Sequence, residues 1–149
     1  MQNKFTISGF NKKSFEITPH LKLVDVTDFM GQKQHNLGLY FTHIEDGAQM
    51  PFANFTLNFC EFIGMKNCAY VDTNNCWFAD ELFKTGIARD TGFTKISGYC
   101  KYPLWQFKEE FLKSVDAKIY QKYSDEYDAY MEAAMGGPEQ DKDDIEMEL

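Results

Sequence analysis

Phe107, Phe111, Val115, Ile119, Tyr123 and Tyr127 recur every four residues, with Leu112 and Tyr120 beside them. Lys108, Glu109, Glu110, Lys113, Asp116, Lys118 and Lys122 fill the intervening positions. The spacing predicts an amphipathic helix of at least four turns. A strict four-residue repeat advances the apolar stripe by roughly 40° per step on a helix of about 3.6 residues per turn. One straight helix therefore cannot hold the whole stripe against one core. Ser124, followed by Asp125 and Glu126, offers a place to restart. Gly136-Gly137-Pro138 stops any helix, and the polar stretch 139–149 is expected to be disordered.

The first two-thirds of the chain has a different rhythm, with short β-branched and aromatic runs punctuated by Gly, Pro, Asn and Asp. Phe5-Thr6-Ile7 and Phe15-Glu16-Ile17 flank the polar turn Asn11-Lys12-Lys13 and predict a hairpin. Leu21–Val26 and Leu37–Thr42 predict two further strands, separated by the polar loop Met30–Gln34. After the turn Glu45–Ala48, Pro51 opens a strand over Phe52–Phe59, with Phe55, Leu57 and Phe59 on one face. Cys68–Val71 is short and apolar, as a central strand would be. Asp72-Thr73-Asn74-Asn75 is a cluster of cap and turn formers. It leads into a short helix over Cys76–Lys84, with Gly86 placed to end it. Asp90-Thr91-Gly92 reads as a turn, Phe93–Tyr102 as extended chain, and Pro103 as its end.

Together these patterns predict an α+β protein: an antiparallel sheet of five to six strands, a short helix and a long amphipathic C-terminal helix. Residues 1–106 form the sheet-rich domain. Residues 107–135 form a helical segment packed on it or extending from it, and 136–149 an acidic disordered tail.

Charge changes this picture. The chain of 149 residues has a formal net charge of -8. Residues 1–123 hold thirteen acids and fourteen bases. Residues 124–149 hold ten acids and one base, Lys142. The protein is thus a nearly neutral domain with an acidic C-terminal appendage, a pattern that marks interaction tails as well as solubilising ends. A basic nucleic-acid-binding domain is excluded as a class, and direct nucleic-acid contact is not expected. No apolar run is long enough for a membrane helix, and the N-terminus lacks the h-region and cleavage site of a signal peptide. Four cysteines, Cys60, Cys68, Cys76 and Cys100, are then expected as reduced thiols in a cytoplasmic protein.

Candidate chemistry is sparse. The cysteines lack the paired spacing of zinc ligands, and His20, His35 and His43 form no metal motif, so neither metal nor cofactor is expected. A small hydrolase or nucleic-acid-modifying enzyme, the alternative reading, would have its site around Asp72–Asn75 and Ser97–Cys100; Cys100 or Cys76 could meet His43 only through tertiary contact. The other candidate is the tyrosine- and acid-rich run of Tyr120, Tyr123, Asp125, Glu126, Tyr127, Asp128, Tyr130 and Glu132. On an exposed helix the rings would supply area and the carboxylates would pair with Lys or Arg of a basic partner. On a buried face the same tyrosines would be core.

Tyr70-Val71-Asp72-Thr73-Asn74-Asn75, Gly86, Thr91-Gly92, Ser97-Gly98-Tyr99 and Tyr102-Pro103-Leu104 carry a further signal, to which Pro51–Asn58 adds an upstream part. Over residues 20–107 the chain resembles an uncharacterised family, a domain of unknown function associated with plasmids, conjugative elements and phages of gut Firmicutes and Bacteroidota. The resemblance brings no catalytic residues. It implies a mobile-element setting, where small proteins protect the element against host defence. With the charge segregation, the expected function is a non-enzymatic inhibitor of anti-CRISPR or anti-restriction type. As a monomer or homodimer, it would block a basic nucleic-acid-binding surface of a host protein.

Overall fold

Alternation builds the first sheet. Ile17, Pro19 and Leu21 fall on one buried face of β2 (Ser14–Thr27), one continuous strand where two are expected from sequence. The computed structural model describes residues 4–9 and 13–134. The predicted turn residues Asn11 and Lys12, the helix stop at 136–138 and the acidic tail therefore lie outside the described residues. β1 (Phe5–Ser8), β2, β3 (Lys33–Glu45) and β4 (Ala48–Asn54) form an antiparallel sheet in that order. Pro19 is tolerated inside β2 because the pairing with β1 ends at Ile17, leaving β2 an edge on that side.

Phe55 turns the chain from one sheet into the next. The predicted strand over 52–59 is broken there: β4 ends at Asn54 and the two-residue β5 (Thr56–Leu57) opens the second sheet. Phe55 N–H donates to Leu39 O at 3.0 Å, and Asp72 N–H donates to Phe55 O at 2.9 Å, so its backbone is bonded to both sheets. Its fully buried ring meets Phe41, Phe78, Trp105 and Phe107 at centroid separations of 5.5–6.5 Å. Aromatic pairs at these distances add to the burial itself.

The second sheet runs β5-β6-β8-β7, with β6 (Cys68–Val71), β7 (Ala88–Ser97) and β8 (Cys100–Phe107) all antiparallel to their neighbours. Two sequence expectations change here. Asp90-Thr91-Gly92 is a bulge inside β7 instead of a turn before it, with Gly92 at φ 91°. Pro103 lies within β8 instead of ending it. The ladder between β7 and β8 is interrupted between Asp90 and Thr94, and Pro103 pairs with Thr94 at the margin of that bulge, where a missing N–H is tolerated.

The helices are α1 (Ala79–Phe83), α2 (Glu109–Val115) and α3 (Ala117–Ala134). The architecture is therefore α+β with a long C-terminal helix, and the described residues form eight strands in two sheets where five or six in one are expected. Phe107 belongs to β8 and is not part of the helix. The apolar drift is resolved at Asp116, not at Ser124. Asp116 leaves helical geometry (φ -159°, ψ 95°), and its Oδ1 accepts the N–H of Ile119 at 3.1 Å as the cap of α3. After this kink, Phe111 and Leu112 of α2 and Tyr120, Tyr123 and Tyr127 of α3 enter the same core as the inner faces of both sheets.

Candidate functional site

The inward face of α3 is a row of tyrosines. Tyr120 is 1% exposed, Tyr123 3% and Tyr127 9%. Tyr120 O–H donates to Asn67 Oδ1 at 2.9 Å, Asn67 N–H donates to Tyr123 Oη at 2.9 Å, and Tyr127 O–H donates to Gly64 O at 2.6 Å. The three phenols tie the 64–67 loop, which includes Asn67 at φ 67°, to the helix. Burial pushes the Tyr123 hydroxyl well above its ordinary range and raises that of Tyr127. These three rings are consequently internal, and a docked partner would not reach them. Tyr130, half-buried, packs edge-on against Phe62 at 4.6 Å.

The acids of the same helix point elsewhere. Asp125, Asp128 and Glu132 are exposed, and Asp128 pairs with Lys66 at 2.9 Å. Glu126, half-buried, turns towards the first sheet. Leu23 and Leu37 pair across β2 and β3 on the inner face, and the next pair on that face towards the hairpin tip is Asp25 with His35. His35 Nδ1 lies 2.7 Å from Glu126 Oε1, and Nε2 lies 3.0 Å from Asp25 Oδ1. Both ring nitrogens thus meet carboxylate oxygens, which only accept, so filling both contacts at once takes both ring N–H groups.

Beyond this clamp α3 presents Ala129 and Ala133 to the hairpin. These side chains are too short to fill the space, which opens as a cleft of about 670 Å³ lined also by Lys33, Gln34 and Tyr130. On the far side of Tyr130 a second cavity of about 370 Å³ reaches Phe29, Cys60 and Phe62.

The hairpin tip beside the cleft is a built turn. Asp28 Oδ1 accepts the N–H groups of Met30 and Gln32, both at 2.9 Å, and Gly31 takes φ 82°. The Gln32 N–H bond, ahead of those from Gln34 and Met30, holds the Asp28 carboxyl below its usual range. This turn holds two large apolar side chains in solvent, Phe29 at 85% and Met30 at 70% exposure.

Of the residues that the sequence singles out, Glu126 and Tyr130 line this cleft; Asp25, His35, Asp28, Phe29 and Met30, which lie at or beside it, are not among them. Asp28-Phe29-Met30-Gly31 carries a turn signature, Asp first and Gly fourth, that could have located the tip. Nothing in the sequence relates His35 to Glu126, 91 positions away.

The residues of the enzymatic alternative are placed as follows. Asp72 is buried, and its carboxylate accepts the N–H and the side-chain amide of Asn75 at 3.2 and 2.9 Å, as a turn-holding aspartate does. Ser97 pairs with Cys100 across the β7–β8 turn. The nearby Tyr102 hydroxyl is raised chiefly by its contact with Cys100. Cys68 and Cys76 are buried free thiols, pushed up to about 11 and about 12 by desolvation. Among the described residues no three His, Cys, Asp or Glu side chains gather in a metal-holding group. No helix among them is long and apolar enough to cross a membrane.

Residues 23–127 match a family described as a domain of unknown function, DUF4313. The match covers well over half of the chain, including both sheets from the middle of β2 onward and most of α3. Comparison with curated proteins and with solved structures gives no match.

Proposed function

The chain belongs to the DUF4313 family, and from that premise we propose that it is a non-enzymatic interaction protein of a mobile element or phage. On this reading it acts inside the host cell by covering a basic nucleic-acid-binding surface of a defence protein, of the restriction or CRISPR type. The observation that carries the reading is the polarity of α3. Tyr120, Tyr123 and Tyr127 are turned into the core, while Asp125, Asp128 and Glu132 are turned to solvent. The acids Glu139, Asp141, Asp143, Asp144, Glu146 and Glu148 follow in sequence. The three buried tyrosines fasten the helix to the 64–67 loop, and the carboxylates are what a Lys- or Arg-rich surface would meet. Such complementarity chiefly accelerates association and makes it sensitive to salt. The mobile-element setting is supported by the family resemblance, and the defence-protein partner follows from that setting together with the charge.

The test is partner inhibition by the full chain against a variant in which Asp125, Asp128, Glu132 and the six acids of 139–148 are replaced by Asn or Gln. Removal of the whole segment from residue 124 is a poorer probe, because it takes the buried Tyr127 with it. The neutral variant should keep its fold and lose both inhibition and its salt dependence. Inhibition that survives neutralisation at every salt concentration would refute the reading.

A further inference from the structure

We propose that the cleft between the β2–β3 hairpin and the C-terminal half of α3 receives an Arg or Lys side chain from the partner protein, with an apolar neighbour seated beyond Tyr130. This rests on the docking function proposed above and names the seat for it.

Four observations converge on that occupant. Two carboxylates line the cleft, Asp25 exposed at its mouth and Glu126 half-buried, held on either side of His35 at 3.0 and 2.7 Å. Each gives one oxygen to the ring. The other Glu126 oxygen lies 4.0 Å from Lys122, the outer limit of an ion pair, so it can still accept from an incoming cation. The Asp25 side chain is 96% exposed and accessible from the mouth. On the helix side the wall is Ala129, Ala133 and Tyr130, which suits the aliphatic stem of Arg or Lys, while Lys33 on the hairpin side is exposed and extends to solvent.

Next, the adjacent cavity beyond Tyr130 has Phe29 and Phe62 on its walls beside Asp28 and Glu61, so that an apolar residue of the same segment can pack on the two rings. Phe29 stands exposed at its edge, next to exposed Met30 on a turn that Asp28 fixes. Last, α3 ends at Ala134, one residue past the Ala133 that lines the cleft. In the sequence after Ala134 there are six acids and a single lysine, a composition suited to a cationic partner. The cleft volume of about 670 Å³ falls in the range of ligand-binding clefts, roughly 300–1,000 Å³.

A short fluorescein-labelled peptide rich in arginine and leucine serves as the probe, titrated into the full chain at low salt and followed by anisotropy. The His35 ring resonances are followed by NMR in parallel. Binding is expected, with movement of the His35 signals. The Asp25→Asn, Glu126→Gln double variant should lose affinity by about tenfold or more, as expected for charge-assisted hydrogen bonds. Ala129→Leu, which fills the cleft without altering charge, should weaken binding too. An equal change of charge at the remote Asp80 and Glu110 should not. Should the cleft variants bind as well as the unaltered chain, while neutral replacements at Asp141, Asp143 and Asp144 abolish binding, the cleft inference fails and the docking function stands. No binding by the full chain would overturn both.

Discussion

Tyr123 shows how one residue type serves two opposite readings. Its ring is apolar and its hydroxyl polar, so in a sequence it fits both an exposed grip and a buried strut. The fold resolves this through Asn67, whose backbone N–H has the Tyr123 oxygen as its acceptor at 2.9 Å. Tyr123→Phe keeps the ring and orphans that N–H, so stability should fall by roughly 1–3 kcal/mol in urea unfolding. Peptide binding by the folded protein should be unchanged. The buried thiols make a second prediction. Cys68 and Cys76 titrate in the folded protein at about 11 and about 12, above the ordinary thiol value of 9.0. A folded-state value that is raised confers stability below the unfolded value and loses it as pH climbs towards the folded one. Stability should therefore decline as pH rises from about 9 towards 11 for Cys68 and towards 12 for Cys76. In native protein at pH 8 a thiol reagent should modify exposed Cys60 well before Cys68 or Cys76, with all reacting once urea is added. Equal rates in the native state would contradict the packing around the two buried sulfurs.

At the scale of elements, periodicity located most of the structure and misjudged where it bends. The four-residue repeat announced both the C-terminal helix and the need to break it, but Ser124 was the wrong position. Asp116 sits among charged spacers and looks like one of them, and its capping role is visible only once its φ and its bond to Ile119 are known. Asp116→Ala should cost about 1 kcal/mol, the worth of a typical cap, measurable as a shift in the urea midpoint. The break at Phe55 was hidden for another reason. Phe52 to Phe59 alternates well enough for one strand, and alternation does not reveal that the chain changes sheets. Phe55→Ala would open a cavity between the sheets and cost about 3–5 kcal/mol. The β7 bulge and Pro103 were legible as irregularities, though not as features inside strands. The hairpin tip was legible as a loop, and its Asp28 scaffold was not. The cleft escaped sequence reasoning because it is made by tertiary contact between residues far apart, and by the small size of Ala129 and Ala133, which no pattern flags.

For the whole molecule, the formal charge of -8 conceals a division that the fold makes physical. The sheets and the inner face of α3 share one core, and the excess of acid lies on the outer face of that helix and in the sequence beyond it. Exposed ion pairs such as Lys66–Asp128 contribute little to folding, so the acids can be neutralised with small effect on stability. Their effect should be felt in association, as a rate that falls with salt. The most direct measurement is a competition on a captured host partner: the full chain is bound to it, and double-stranded nucleic acid is added at low and at moderate salt. If the acidic helix and tail occupy a nucleic-acid-binding surface, nucleic acid displaces the chain, moderate salt weakens the complex, and the variant neutralised at Asp125, Asp128, Glu132 and 139–148 is not retained. A complex that nucleic acid leaves intact, and that forms equally well with the neutralised variant, would contradict the account.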